Sequence, residues 1–165
     1  MIRPAKISEH SRLTEISFLS KGTWNYPKEF FEIWAKELTI SPEYIQNDTV
    51  FVYEKDKQIA GFITLIENKE DKMIDKIYVE KGYWMDHLFI HPQFQNQGIG
   101  SELVKYLLKF CMNKQIKKIL VFVDPNATGF YKILGATFIR YENSSIPGRK
   151  LPIYCFENLF QTTLR

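Results

Sequence analysis

The 165-residue chain predicts an α/β domain built on a mixed, mostly antiparallel sheet, and three observations carry that expectation. Two alternating apolar stretches, "TVFVYE" and "QIAGFITLIE", flank the charged turn "KDK", as in an antiparallel hairpin. The run "KILVFV" is apolar without a break, as in a strand covered on both faces. Between the strand candidate "YWMDHLFI" and that run lies a stretch of helical periodicity, which makes a right-handed crossover between two parallel strands.

In chain order, "IRPAK" reads as a short strand. A helix follows from about Ser8, with Ser8 as cap and Leu13, Ile16 and Phe18 on its apolar side. Pro27 suits the first turn of a second helix, in which Phe30, Phe31, Trp34 and Leu38 recur at helical spacing. After the hairpin, "MIDKIYVE" and "YWMDHLFI" read as two further strands around Gly82. The long helix runs from about Gly98 to Asn113, with Ile99, Leu103, Leu107, Phe110 and Cys111 inward. Its C-terminal end is rich in lysine, as the macrodipole prefers. "ATGFYKIL" reads as a short helix, and "ATFIRYE" and "LPIYCFE" as the last two strands.

Composition narrows the function. With 45% apolar residues and no linker or repeat, residues 1–165 read as a single domain. The net charge of +3 comes from 22 basic and 19 acidic residues scattered together, which argues against a nucleic-acid partner. Cys111 and Cys155 have neither a disulfide-framework nor a metal-ligand spacing, so no metal is expected and a reducing compartment fits. "MIRPAKISEH" has no apolar leader core and no run approaches a membrane span, so a cytoplasmic protein with no membrane partner is expected.

The stretch "HPQFQNQGIGSEL" places two glycines, several amides and no cation at the opening of the long helix. The first amides of a helix lack internal acceptors and carry the positive end of its dipole, so such a turn suits phosphate oxygens. Glycine at 98 and 100 lets backbone approach a ligand closely, or else makes only a tight strand-to-helix connection. Two familiar phosphate loops do not fit. A P-loop needs Lys-Ser/Thr where Ser101 and Glu102 stand, and a dinucleotide fingerprint needs a small residue where Leu103 stands.

"LFIHPQFQNQGIGSELV" resembles the signature of the GNAT superfamily of N-acetyltransferases, with Gln95, Gly98 and Gly100 filling Q/R-x-x-G-x-G/A. "DPNATGFYKILGATF" is similar to the second half of that fold, with Phe130, Tyr131, Gly135 and Phe138 at matching positions. The resemblance implies a sheet of six to seven strands, flanked by about four helices and splayed at a coenzyme A cleft. It implies acetyl-CoA as co-substrate, its diphosphate on the amides of Asn96, Gln97, Gly98, Ile99, Gly100 and Ser101. The backbone of Leu88, Phe89 and Ile90 would pair with pantetheine as a pseudo-strand. Phe130 and Asn126 would contact the coenzyme, with Asp124 an equal match for Asn126.

The resemblance also makes Tyr131 the acid for the leaving thiolate, since a phenol of pKa about 10 can protonate a thiolate of similar basicity. Packing against the coenzyme is its other reading. Where some members carry a glutamate base this chain has Trp84. By alternation Asp86 shares a side with Leu88 and Ile90, so it is either a base whose pKa burial raises or a structural carboxylate. His87 and His91 fall on the other side. Trp24 and Tyr26 are expected to wall an acceptor pocket, and Arg149 to meet an anionic group. The early W-x-Y and late P-G-R-x-L-P are similar to features of a bacterial GNAT subgroup of undefined acceptor. The function implied is acetyl transfer to a primary amine, of a small molecule, by direct attack in a ternary complex. A non-catalytic acyl-CoA-binding module is the alternative, and a homodimer is compatible with the sequence.

Overall fold

The computed structural model describes residues 1–157. Strand β1 (Ile2–Pro4) pairs antiparallel with β2 (Thr49–Lys55). A 3-10 turn at Ile7–Glu9 then leads into α1 (His10–Gly22), which buries Leu13 and Ile16 as expected. Ser8 does not cap it. Its N-cap residue Glu9 makes no side-chain cap bond to α1; the carboxylate accepts from the Lys6 amide at 2.8 Å, at the start of the preceding 3-10 turn, and is clasped by Arg3 at 2.7 and 3.2 Å.

Helix α2 (Lys28–Leu38) follows Pro27 and buries Trp34 and Leu38. Helix α3 (Pro42–Asn47) was not foreseen, because six residues are too few to show a periodicity. Its start is nevertheless well specified: Pro42 fills the first turn, and Ser41 Oγ accepts from the Tyr44 amide at 3.0 Å. Among the described residues there are thus five α-helices rather than about four.

Strands β2 and β3 (Gln58–Asn68) form the expected hairpin, and Asp56 and Lys57 both take the left-handed conformation of a tight two-residue turn. The register shifts between Tyr53 and Glu54, opposite Gly61. "MIDKIYVE" is not one strand. It folds back on itself as β4 (Lys72–Ile74) and β5 (Ile77–Val79), a separate two-stranded sheet, because Asp75 adopts φ 54° and turns the chain.

Strand β6 (Gly82–Ile90) leads to α4 (Ile99–Asn113) and then β7 (Lys118–Phe122). The two strands pair in parallel, as a crossover requires, from Tyr83↔Ile119 to Met85↔Val121. The last turn of α4 holds no basic residue, contrary to expectation. The helix ends instead on a left-handed Gln115, with the Ile116 amide on the Cys111 carbonyl and the Gln115 amide on that of Met112. A 3-10 turn (Pro125–Ala127), α5 (Thr128–Ile133) and the antiparallel pair β8 (Thr137–Asn143) and β9 (Lys150–Glu157) complete the chain. The seven-stranded sheet runs β1-β2-β3-β6-β7-β9-β8, with the parallel β6–β7 pair followed by the antiparallel β7–β9 and β9–β8 pairs.

The described chain divides into two compact units, whose boundaries fall inside β3, β6 and α4. The first, Met1–Leu65 with His87–Leu107, centres on Leu13, Ile16, Ile40, Val52 and Phe62. The second, Ile66–Asp86 with the chain from Leu108, centres on Trp84, Leu120, Ile153 and Cys155. Both cysteines are fully buried and unbridged. Among the described residues no helix is long and apolar enough to cross a membrane.

Candidate active site

In the first unit, β6 ends in a 3-10 turn at Pro92–Phe94, capped by His91 Nδ1, which accepts from the Gln93 amide at 3.1 Å. Phe94, 9% exposed, anchors this turn in the core. Asn96 (φ 61°) and Gly98 (φ 80°) then bend the backbone through the left-handed region. Gly98 is therefore needed for the hand of the backbone. It is not needed for clearance, since a Cβ there would meet nothing within 4 Å. Gly100 lies within α4 and shows no such conformation.

The Glu102 amide bonds the Gly98 carbonyl at 3.1 Å, so the amides of Ile99, Gly100 and Ser101 stand ahead of the helical ladder. They point their N–H groups out of the end of a fifteen-residue helix, where its dipole is positive. The Gln97 side chain is turned away from this task, accepting from Lys55 Nζ at 2.6 Å and donating to the Gln93 carbonyl at 3.4 Å. Lys55 thereby brings an ammonium to a turn whose own sequence has none. Forty-two residues separate Lys55 from Gln97, and no local pattern could have signalled it.

Leu88, Phe89 and Ile90 are half-buried, and they lie past Met85, where the β6–β7 ladder stops. β6 is held to β3 at this end by the His91 amide on the Ala60 carbonyl (2.8 Å) and the His87 amide on Thr64 Oγ1 (2.9 Å). Gly61 allows the approach: a Cβ there would lie 2.8 Å from the Phe89 carbonyl oxygen and 2.6 Å from Ile90 Cδ1. His87 packs its ring among Tyr44, Phe62 and Phe89. The His91 imidazole is pushed below its usual pKa by burial and by the Arg12 charge.

In the second unit, Tyr131 on α5 is 7% exposed, with its hydroxyl 3.9 Å from Met85 Sδ and its ring between Phe130 and Phe156. Burial, and then the Asp124 carboxylate, raise the phenol well above its usual pKa, so it holds its proton across the neutral range. Asp124 is itself committed. It accepts from the Asn126 amide at 2.9 Å, capping the 3-10 turn, and faces Arg149 Nη2 at 3.9 Å. Arg149 thus braces the Ser144–Arg149 turn against the start of α5 instead of waiting at the surface for an anion. Asn126 is exposed.

One expectation needs correction. Asp86 is exposed, so the burial on which its candidacy as base relied is not found. Trp84 is 3% exposed, stacked on Phe122 at 5.1 Å and bonded through Nε1 to the Glu80 carbonyl, so a base is replaced there by core. Trp24 is 46% exposed, whereas Tyr26 packs against Phe30 and Trp34 with Lys21 Nζ 4.4 Å from the Trp34 ring centre. Tyr26 is an aromatic cluster member as much as a pocket wall.

The model of the acetyltransferase (GNAT) family matches residues 15–136, most of the chain, with the first motif whole and the second as far as Ala136. The chain belongs to the GNAT family. It is 40% identical over 48 residues to an uncharacterized N-acetyltransferase, ycf52-like, of Prochlorococcus marinus, a match spanning 29% of this chain and 27% of that protein. It is 22% identical over 134 residues to a mouse thialysine N-epsilon-acetyltransferase, spanning 79% and 69% of the two chains. In fold it is similar to a GCN5-related N-acetyltransferase of Rhodopseudomonas palustris, with a TM-score of 0.75 at 16% identity over 95% of this chain and 94% of that one. The PaiA N-acetyltransferase of Thermoplasma acidophilum, solved in complex with coenzyme A, superposes with a TM-score of 0.69 at 20% identity over 95% and 98%.

Proposed function

We propose that this GNAT chain acts as one domain of 165 residues that transfers the acetyl group of acetyl-CoA to a primary amine. The observation that carries the reading is the set of amides from Ile99 to Ser101 ahead of the α4 ladder, behind a left-handed Gly98. These donors, with Asn96 and Gln97 beside them, fit a diphosphate, and Lys55 adds a cation. The half-buried backbone of Leu88, Phe89 and Ile90 suits the amides of pantetheine, with Phe130 and Asn126 as further coenzyme contacts.

In the reaction, the amine nitrogen attacks the thioester carbonyl, the C–S bond breaks, and the sulfur leaves as thiolate. Tyr131 supplies its hydroxyl proton to that sulfur and regains a proton from solvent afterwards. Its raised pKa does not oppose the transfer, because a site that disfavours a buried phenolate disfavours a buried thiolate for the same reason. The amine attacks in its neutral form, and as the amide forms its nitrogen releases one N–H proton to solvent, which exposed Asp86 accepts only through water.

A small alkylamine is the proposed acceptor, in keeping with the amine named for the mouse relative, and Trp24 and Tyr26 remain its proposed wall, while Arg149 faces Asp124. The setting proposed is the cytoplasm, with no metal. A thiol-release screen of acetyl-CoA against small amines, amino acids and peptides tests donor, reaction and acceptor together. Turnover with a small amine supports the reading, and saturable coenzyme binding without turnover on any of them replaces it with an acyl-CoA-binding module.

A further inference from the structure

The second unit contains a cavity of about 420 Å³ that shares no residue with the groups discussed above for catalysis or coenzyme binding. Lys81, Lys114, Lys117 and Lys118 line it, with Tyr83 and Leu120 among its less polar lining. That volume is within the range of small-molecule sites, but such sites are mostly apolar, and four exposed lysines and one carboxylate, Glu80, are among the lining residues of this one.

The fold gathers these lysines from separate places in the chain. β6 and β7 run in parallel from the Tyr83↔Ile119 pair, so their first residues emerge at the same end. The return from α4 to β7, Lys114 to Lys117, passes that end as well. The backbone reaches this shape through Gly82 at φ 132° and Gln115 at φ 61°. The negative end of α4 does not offset the lysines by presenting bare carbonyls, since the amides of Lys114, Gln115 and Ile116 cover those of Phe110, Cys111 and Met112.

Nearby carboxylates are also engaged. Glu80, which itself lines the cavity, bonds Arg140 at 2.8 Å, Asp71 accepts from the Lys81 amide at 2.6 Å, and Glu157 lies 3.7 Å from Lys118. Among the described residues Lys81, Lys114 and Lys117 have no carboxylate partner. Three like charges around one recess repel, and an anion placed among them relieves all three at once.

We infer that this cavity binds a small polyanion carrying phosphate groups, held by Lys81, Lys114 and Lys117 above a floor that includes Tyr83 and Leu120. Phosphate suits lysine because an ammonium acts as a point charge without a fixed fork. The site is distinct from the α4 opening, whose donors are main-chain amides.

Inorganic pyrophosphate, titrated into the full chain at low salt while backbone amide resonances are followed, tests this. Saturable shifts at 81–83 and 115–118 are expected, with affinity about tenfold weaker in the Lys114→Ala/Lys117→Ala double variant. The Lys28→Ala/Lys36→Ala variant of α2 removes equal charge elsewhere and should leave affinity unchanged. Shifts confined to 96–101 overturn the inference. So do shifts that never saturate or that both double variants weaken equally, which would mean an adventitious ion only.

Discussion

The α4 opening and Tyr131 present proton donors in contrasting ways. At 96–101 the donors are backbone N–H groups, placed by the geometry of a helix start and nearly indifferent to the side chains they carry. Tyr131 is a single hydroxyl whose place and acidity are set by Met85, Phe156 and Asp124, residues brought to it from other strands and loops. The first donor set is built into the chain. The second is enclosed and depends on everything around it. The contrast predicts that the turn will tolerate replacement of its exposed side chains, as at Gln97, but not of left-handed Gly98 or buried Ile99, whereas Tyr131 will tolerate almost none.

The sharpest way to break the comparison is Tyr131→Phe. Under the proposed reaction it should lower turnover by about 10²-fold or more while leaving coenzyme affinity within a few-fold, as measured by thiol release and calorimetry. Unchanged turnover would reduce Tyr131 to a packing residue. Next in size, Gly98→Val forces a β-branched residue to φ 80° and should weaken coenzyme binding by about tenfold, at a cost of roughly 1–2 kcal/mol in stability. Gln97→Ala should change coenzyme affinity by less than about threefold if main chain dominates there.

Gly61→Ala sharpens the comparison from a third direction. Its Cβ would meet the Phe89 carbonyl and Ile90, so we expect about 1–3 kcal/mol of destabilisation in a denaturant titration, with β6 displaced from β3.

The smallest expected effect is on pH. Burial alone would raise the Glu9 pKa, but bonds from Arg3 and the Lys6 amide bring it below the usual 4.5. A carboxylate with a depressed folded-state pKa stabilises above its unfolded value, and that contribution is lost as pH falls from about 4.5 through the folded value. Glu9→Gln should therefore lower stability near neutrality and flatten the acid limb of a stability-pH profile, the two proteins converging as pH falls below the folded value.

What could be read from the sequence follows the same division. The β2–β3 hairpin, the parallel β6–β7 pair, α4 and the Gly98 turn all declare themselves through local patterns, either alternation, periodicity or a residue needed for its φ. The β4–β5 hairpin was hidden because "MIDKIYVE" alternates plausibly as one strand, and only the left-handed Asp75 breaks it. Helix α3 was hidden by its shortness. At the site, the left-handed Gly98 ahead of α4 was legible, whereas the exposure of Asp86, the engagement of Arg149 by Asp124 and the arrival of Lys55 at Gln97 all depend on contacts distant in sequence. Alternation assigned Asp86 a side of its strand, and a side is not a depth.

The two interior cysteines bear on how a thioester can be handled by this chain. Burial raises both thiols to about 12, so neither is present as thiolate at neutral pH. An acyl group carried into the folded protein meets no sulfur nucleophile that could intercept it, and self-acylation at cysteine is suppressed by architecture alone. For the bench, a chromogenic disulfide reagent that counts free coenzyme will register the reaction and not the enzyme, until the chain is unfolded.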